Sequence, residues 1–143
     1  SKASGIDPSD IRIAAATPSE MPNYLSQMDL GVMFYAPDIG RAPTRLAECL
    51  ATGVPVVGNI GAGDFGQLIG RYSVGVVIDD VHDEKSLAES AQHLLAIYDD
   101  IVDSQRCRKA AEDYFSADKG AERYRAIYKE MDHRKETSPD RDF

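Results

Sequence analysis

Four short apolar runs, separated by segments with helical spacing, constrain the fold of this chain more than any other feature. The runs are IRIAAA (11–16), LGVMFYA (30–36), VPVVGN (54–59) and VGVVID (74–79). They are apolar at consecutive positions, which is typical of parallel strands that are covered on both faces. Helical segments at 19–28, 42–52 and 64–72 separate the runs, and this alternation predicts βαβ units. The sequence therefore predicts an α/β fold, with helices on both faces of a parallel sheet of about four strands.

The last part of the chain is predicted to be wholly helical. Its apolar residues recur at helical spacing, and such stripes usually form packing faces. The three stripes comprise Leu87, Ala91, Leu94, Leu95 and Tyr98; then Ile101, Cys107, Ala111 and Phe115; and finally Ala121, Tyr124, Ile127, Tyr128 and Met131. Residues 133–143 are charged and nearly free of apolar side chains, so we expect a disordered tail there. The domain is expected to span residues 1–132.

Length and charge exclude several classes of function. A chain of 143 residues is long enough to bury a core of its own. Its net charge of −8 disfavours nucleic-acid and anionic-membrane partners, because both select basic surfaces. No apolar run approaches the roughly 20 residues that span a bilayer, and the first residues lack the apolar region of a signal peptide. Cys49 and Cys107 are far apart and outside any C-x-x-C motif, which indicates buried free thiols in the cytoplasm.

A helix start suited to an anion lies in the stretch APDIGRAPTRLAE (36–48). Pro43 is predicted in the first helical turn, where its missing N–H costs nothing. The free N–H groups of that turn, beginning with Thr44, are expected to point beyond the carboxyl end of the preceding strand. Arg41 and Arg45 flank them. Because a helix N-terminus and guanidinium groups both attract anions, this stretch predicts a diphosphate site.

Glu48 follows one turn further along the same predicted helix. On the side that faces the cleft, its carboxylate can accept two hydrogen bonds from a ribose diol, as acidic residues do in other nucleotide sites. Leu46 and Leu50 would then pack inward. The spacing also fits a solvated glutamate on a helix surface, and at this point both interpretations are open.

Three glycines suggest a different cofactor site. Gly61, Gly63 and Gly66 fit the dinucleotide-binding pattern G-x-G-x-x-G and follow an apolar run. Only about 10 Å of helix fits between Gly66 and the next predicted strand, whereas a fingerprint helix must run back along a strand and pack on it. The pattern also follows the third predicted strand rather than the first. An NAD(P)- or flavin-binding oxidoreductase domain is therefore kept as an alternative.

The order of motifs along residues 11–130 resembles the C-terminal nucleotide-sugar-binding domain of GT-B glycosyltransferases, especially retaining family 4. The stretch ECLATGVPVV (48–57) is similar to the family pattern E-A-x-A-x-G-x-P-V-V. Asp29 precedes it at the position of the family's strand-end aspartate, and a glycine loop and YFS (114–116) follow it in the family's order. The resemblance implies a Rossmann-like fold and transfer of a glycosyl group from a nucleotide-diphosphate sugar.

The resemblance also implies roles for individual residues. It implies that Glu48 binds the nucleotide ribose, that Thr44 and Arg45 lie near the diphosphate, and that the turn at Thr17 borders the base. Charge on the departing diphosphate would be stabilised by Arg45, Arg41 and the helix N-terminus. The predicted donor-binding residues are Thr17, Gly40, Arg41, Thr44, Arg45, Glu48, Gly63 and Asp64, and the predicted catalytic residues are Arg45 and Glu48. No metal or separate cofactor is expected, since the three histidines lack the spacing of metal ligands.

The chain also departs from the family pattern. Gly40 stands where the family has the first glutamate of E-x7-E, which contacts the donor sugar. PTRLAE (43–48) instead resembles the variant P-T-K-x-x-E, with Arg45 at the lysine position. A non-catalytic GT-B-like interaction module is therefore a further alternative.

Two strands with which the family's domain begins have no counterpart in this sequence, nor does the family's N-terminal acceptor domain. Transfer is expected to require that domain, and a membrane-associated acceptor would be contacted only through it. In the family's sheet order, 3-2-1-4-5-6, the absent strands lie between the runs at 11–16 and 30–36. The sheet is expected to close this gap, to keep an open edge, or to pair with another copy in a homodimer.

Overall fold

A three-stranded parallel sheet forms the centre of the molecule. The computed structural model describes residues 5–38, 40, 43–101 and 103–137. The strands are β1 (Gly31–Met33), β2 (Val56–Asn59) and β3 (Gly75–Ile78), and they lie side by side in the order β1-β2-β3. Val57 of β2 is in register with Val32 of β1 and with Val76 of β3. The predicted α/β class is confirmed, as are three of the four predicted strands.

Helices connect and follow the strands. After a short 3₁₀ turn at Pro8–Asp10, the described residues form α1 (Met21–Leu25), α2 (Thr44–Thr52), α3 (Phe65–Tyr72), α4 (Glu84–Ile101), α5 (Ser104–Phe115) and α6 (Ala117–Thr137). Helix α2 ends at Gly53, whose φ of 87° is a left-handed conformation that favours glycine. A Cβ at Gly53 would also lie 2.7 Å from the Cβ of Ser104. Helices α2 and α5 therefore approach each other closely at this point.

The larger part of the core lies on one face of the sheet. There α2, α3 and α5 pack over the strands through residues that are almost fully buried: Leu46, Cys49, Leu50, Phe65, Leu68, Ile69, Cys107, Ala110 and Ala111. On the other face, Val57, Val76 and Ile78 are covered by Leu94 and Ile97 of α4. Strand β2 is buried at every position because it is covered on both faces.

The predicted strand at 11–16 is wrong. In the described part of the chain these residues belong to no strand, and Ile13 is 97% exposed. Val32 of β1 and Phe34, which follows β1, are exposed as well. An apolar run becomes a strand only when another strand satisfies its backbone N–H and C=O groups, and 11–16 has no such neighbour among the described residues. The predicted helix at 19–28 is also shorter than expected, since α1 contains only Met21–Leu25.

The C-terminal stripes are partly wrong as packing faces. Leu94, Ile101, Cys107 and Ala111 face the core as predicted, but Leu95 is 79% exposed. The third stripe is exposed along α6 from Tyr124 to Met131. Helix α6 also continues to Thr137, into the stretch predicted to be disordered, while residues 138–143 lie outside the described residues.

Candidate functional site

Two loops run side by side beyond the carboxyl ends of β1 and β2. The N–H of Asp38 donates a hydrogen bond to the carbonyl of Gly61 (2.6 Å), and the N–H of Gly63 donates to the carbonyl of Asp38 (3.1 Å). Gly61 has a φ of 97°, and a Cβ there would lie 3.2 Å from the Cβ of Pro37. Glycine at this position thus permits both the turn and the close approach of the loops.

Asn59, at the end of β2, holds the beginnings of both loops together. Its side chain is 7% exposed; Oδ1 accepts from the N–H of Tyr35 (2.8 Å), and Nδ2 donates to the carbonyls of Tyr35 (2.8 Å) and Ile60 (3.1 Å). The amide therefore continues the ladder between strands after regular pairing ends. The sequence patterns above did not predict this role, although an asparagine that ends a fully apolar strand is a signal for it, because buried amides require partners.

Helix α2 begins beside these loops, at Thr44. Pro43 lies one position before the helix, and its carbonyl accepts a hydrogen bond from the N–H of Leu46 (3.0 Å). The N–H of the third helical residue is therefore already bonded within the helix. The N–H of Gly40 donates to Oδ1 of Asp38 (3.0 Å). Arg41, predicted to bind the diphosphate, lies outside the described residues. The helix start is thus placed as predicted, with Pro43 at the cap instead of in the first turn.

Arg45 and Glu48 form an ion pair on the outer side of α2. The Nη1 group of Arg45 donates to Oε2 of Glu48, and the two side chains are 47% and 48% exposed. Residues three apart on a helix are neighbours, so the pair forms without help from other elements. Leu46 and Leu50 are buried on the opposite side, as predicted. Glu48 is therefore exposed, which is compatible both with a ribose-binding glutamate and with a solvated glutamate on a helix surface.

Glu48 borders a groove on each side of α2. The α2–α5 groove has a volume of about 530 Å³, and its walls include Ala51, Arg108, Glu112 and Phe115. The α1–α2 groove, of about 350 Å³, is lined by Pro18 and Leu25 among others. Both grooves have mainly apolar walls with the carboxylate at the rim. Arg108 and Glu112 were not predicted as part of a site, and their spacing of four residues on α5 is the available signal.

Thr17 precedes α1 and has a structural role. Its N–H (2.9 Å) and hydroxyl (2.7 Å) both donate to Oε2 of Glu20 in the turn that precedes α1. These hydrogen bonds lower the pKa of the Glu20 carboxyl, because they favour its charged form. The neighbouring Pro18 lines the α1–α2 groove together with Glu48. The turn predicted to border the base is therefore near Glu48, although the Thr17 hydroxyl is occupied.

Gly63 and Asp64 lead into the start of α3. Gly63 has a φ of 51° and is hydrogen-bonded to Asp38, so it lies beside the loop that contains Gly40. Asp64 precedes the first residue of α3 and lines a small cavity of about 70 Å³ with Arg71 and Tyr114. The predicted residues thus lie mainly in two places. Gly40 and Gly63 lie in the two neighbouring loops, and Arg45 and Glu48 form the ion pair on α2.

The two thiols of the chain lie in the core beneath the site. Cys49 and Cys107 are free and buried, as predicted. Burial raises the pKa of each thiol to about 11, because the thiolate is poorly solvated there. For Cys49, the nearby Arg45 opposes this effect and Glu48 reinforces it. Neither thiol is therefore suited to act as a nucleophile at neutral pH.

Comparison of the chain with protein-family models, curated proteins and solved structures finds no match. Within the described residues, no group of three His, Cys, Asp or Glu side chains could hold a metal ion. None of the helices described above is both long and apolar enough to cross a membrane.

Proposed function

We propose that this chain binds the nucleotide-diphosphate sugar donor of a glycosyltransferase and supplies the donor-binding half of that enzyme. The proposal rests chiefly on one observation, the exposed Arg45–Glu48 pair at the start of α2. The pair combines a guanidinium, which suits a diphosphate, with a carboxylate, which suits a ribose diol. It lies on the helix that follows β1, and ligands of open α/β sheets bind beyond the carboxyl ends of the strands.

In the proposed complex, the donor would exchange the ion pair for two separate contacts. Arg45 would move to the diphosphate, where negative charge increases as the glycosidic bond to the phosphate breaks. Glu48 would accept from the two ribose hydroxyls. Because an exposed ion pair contributes only about 0–1 kcal/mol, its loss would cost the complex little.

A titration of the full chain with UDP and GDP, followed by NMR or calorimetry, tests the proposal. We expect saturable, weak binding of at least one of them and no glycosyl transfer by the chain alone. Glu48→Gln should weaken binding roughly tenfold, or about 1.4 kcal/mol, whereas it should leave binding of the 2′,3′-dideoxy diphosphate unchanged. Arg45→Gln should weaken binding of the diphosphate but not of the nucleoside.

Glu89→Gln is a matched control, since Glu89 is an exposed helical glutamate that pairs with Lys85 (3.5 Å) on α4. It should leave nucleotide affinity unchanged. Absence of saturable binding, or an equal loss with and without the ribose hydroxyls in Glu48→Gln, would contradict the proposal.

The two alternatives from the sequence have unequal support. A dinucleotide site is disfavoured, because the third glycine of a fingerprint permits close packing of helix and strand, whereas a Cβ at Gly66 would lie 3.7 Å from Val77, an ordinary contact. A non-catalytic interaction module is favoured by the exposed apolar stripe of α6. That second candidate would be supported if neither UDP nor GDP binds the chain.

A further inference from the structure

Helix α6 carries an apolar stripe that nothing in the described part of the chain covers. Tyr124, Ile127, Tyr128 and Met131, here called the α6 stripe, are 50–66% exposed. Their spacing of three, four and seven residues places them on one face of the helix. The main neighbour of α6 is α5, and residues 122–134 of α6 are all exposed. A helix that buries so little is marginal alone, because most helical stability in proteins comes from packing of the apolar face.

The charged residues beside the stripe follow a regular pattern. At 100° per residue, Arg123 and Glu130 lie on one flank of the stripe, and Arg125 and Asp132 lie on the other. On both flanks an arginine lies seven residues N-terminal to the acid, and Arg134 adds a second base to the first flank. Glu130 also pairs with Arg134 (2.5 Å) within the helix.

We propose that the α6 stripe is an interface between two copies of this chain, in which the two α6 helices pack antiparallel about a two-fold axis. Such an axis places each flank against the same flank of the second copy. Arg123 then faces Glu130 of the second copy, and Arg125 faces its Asp132. A parallel pair would instead bring the two arginines together and the two acids together. The charges therefore favour the antiparallel arrangement on both flanks.

The apolar side chains match in the same arrangement. With the axis between residues 127 and 128, Tyr124 lies opposite Met131 of the second copy, and Ile127 lies opposite its Tyr128. Thioether and aromatic groups pack favourably, and an aliphatic side chain against a tyrosine ring fills the centre. In this register each charged pair is offset from directly opposite positions by two residues, or about 3 Å along the helix axis, a distance that the long arginine side chains span.

An anionic membrane fits this surface poorly. Helices that bind membrane surfaces carry an excess of lysine and arginine beside their apolar face. Here Arg123 and Arg134 accompany Glu130 on one flank, Arg125 accompanies Asp132 on the other, and the chain has a net charge of −8. This interface is independent of the proposed donor site, which lies on α2.

Sedimentation velocity of the full chain over a range of concentrations tests the interface. We expect a monomer–dimer equilibrium and a dimer that Ile127→Glu weakens at least tenfold. Leu95→Glu is the matched control, because Leu95 is an exposed apolar residue on α4 and should leave the equilibrium unchanged. Circular dichroism checks that both variants are folded. A chain that stays monomeric up to about 0.1 mM, or a dimer that is equally stable in Ile127→Glu, would overturn the proposal.

Charge reversal tests the antiparallel register. Arg125→Glu and Asp132→Arg should each weaken their own homodimer roughly tenfold, since two attractive contacts become repulsive. An equimolar mixture of the two variants should dimerise like the unchanged chain, because both contacts are attractive again between unlike copies. A mixture that stays as monomeric as its components would show the register to be wrong.

Discussion

Replacement of Asn59 by alanine should destabilise the fold by removing the link between the ends of β1 and β2. The side chain makes three hydrogen bonds of 2.8–3.1 Å at 7% exposure. Asn59→Ala removes the acceptor used by the Tyr35 N–H and the donor used by two carbonyls. A buried group that loses its partner costs about 1–3 kcal/mol, and the carbonyls contribute less because they have a second lone pair. We expect a total loss of about 2–4 kcal/mol.

Urea unfolding followed by circular dichroism measures this loss. With a slope of about 2 kcal/mol per molar urea, the midpoint should fall by about 1–2 M while the slope stays unchanged. Asn23→Ala is the matched control, because the same atoms are removed from an exposed position in α1 and the expected change is within about 0.5 kcal/mol.

A second variant separates the hydrogen bonds from the volume of the side chain. Asn59→Asp keeps an acceptor for Tyr35 but places a carboxylate oxygen against two carbonyls. This environment disfavours the charged carboxylate and so raises its pKa in the folded state, and the variant should lose stability as pH rises above about 4, the pKa of an aspartate in the unfolded chain. If Asn59→Ala and Asn23→Ala had equal midpoints, the assigned role of Asn59 would be refuted.

Two further predictions concern ionisable groups. Because burial raises the pKa of Cys49 and Cys107 from 9.0 to about 11, a thiol reagent at neutral pH should modify them slowly in the native chain and rapidly in urea. Both thiols should also make stability fall between pH 9.0 and about 11, since the unfolded chain releases these protons first; a serine at each position should remove that dependence. Hydrogen bonds from Lys109 and Lys119 lower the pKa of Asp113 from 3.8 to about 2. The ionised Asp113 carboxylate therefore contributes to the free energy of unfolding above pH 3.8, and this contribution is lost as pH falls to about 2. The free energy of unfolding of Asp113→Asn should depend less steeply on pH in that window.

Local pattern predicted the buried parts of the fold. The runs that became β1, β2 and β3 are apolar at consecutive positions, and burial on both faces requires such a composition. The buried side of α2 followed from helical spacing in the same way, with Leu46 and Leu50 inside. These features depend only on residues near in sequence and on the need to bury apolar area.

Features that depend on distant partners were not predictable. The run at 11–16 has strand composition, yet whether it is a strand depends on a neighbour that no local pattern reveals. The α6 stripe likewise has the spacing of a packing face and is exposed at Ile127. At the candidate site, the loops that contain Gly40 and Gly63 lie beside each other because each follows the carboxyl end of a parallel strand. The use of the Thr17 hydroxyl by Glu20 did not, because it is a competition between local and ligand hydrogen bonds.

Gly53 lies outside the walls of the α2–α5 groove but affects how closely the two helices of that groove approach each other. A Cβ at Gly53 would lie 2.7 Å from the Cβ of Ser104 and 3.4 Å from Nη2 of Arg108. The C-terminal end of α2 can therefore contact α5 directly because this position is glycine. Further from that contact, Glu48 of α2 and Phe115 of α5 line the groove between the two helices. A methyl group at Gly53 would strain this left-handed turn and push Ser104 at the start of α5 away from α2, so it would alter the α2–α5 groove without changing any residue of its walls.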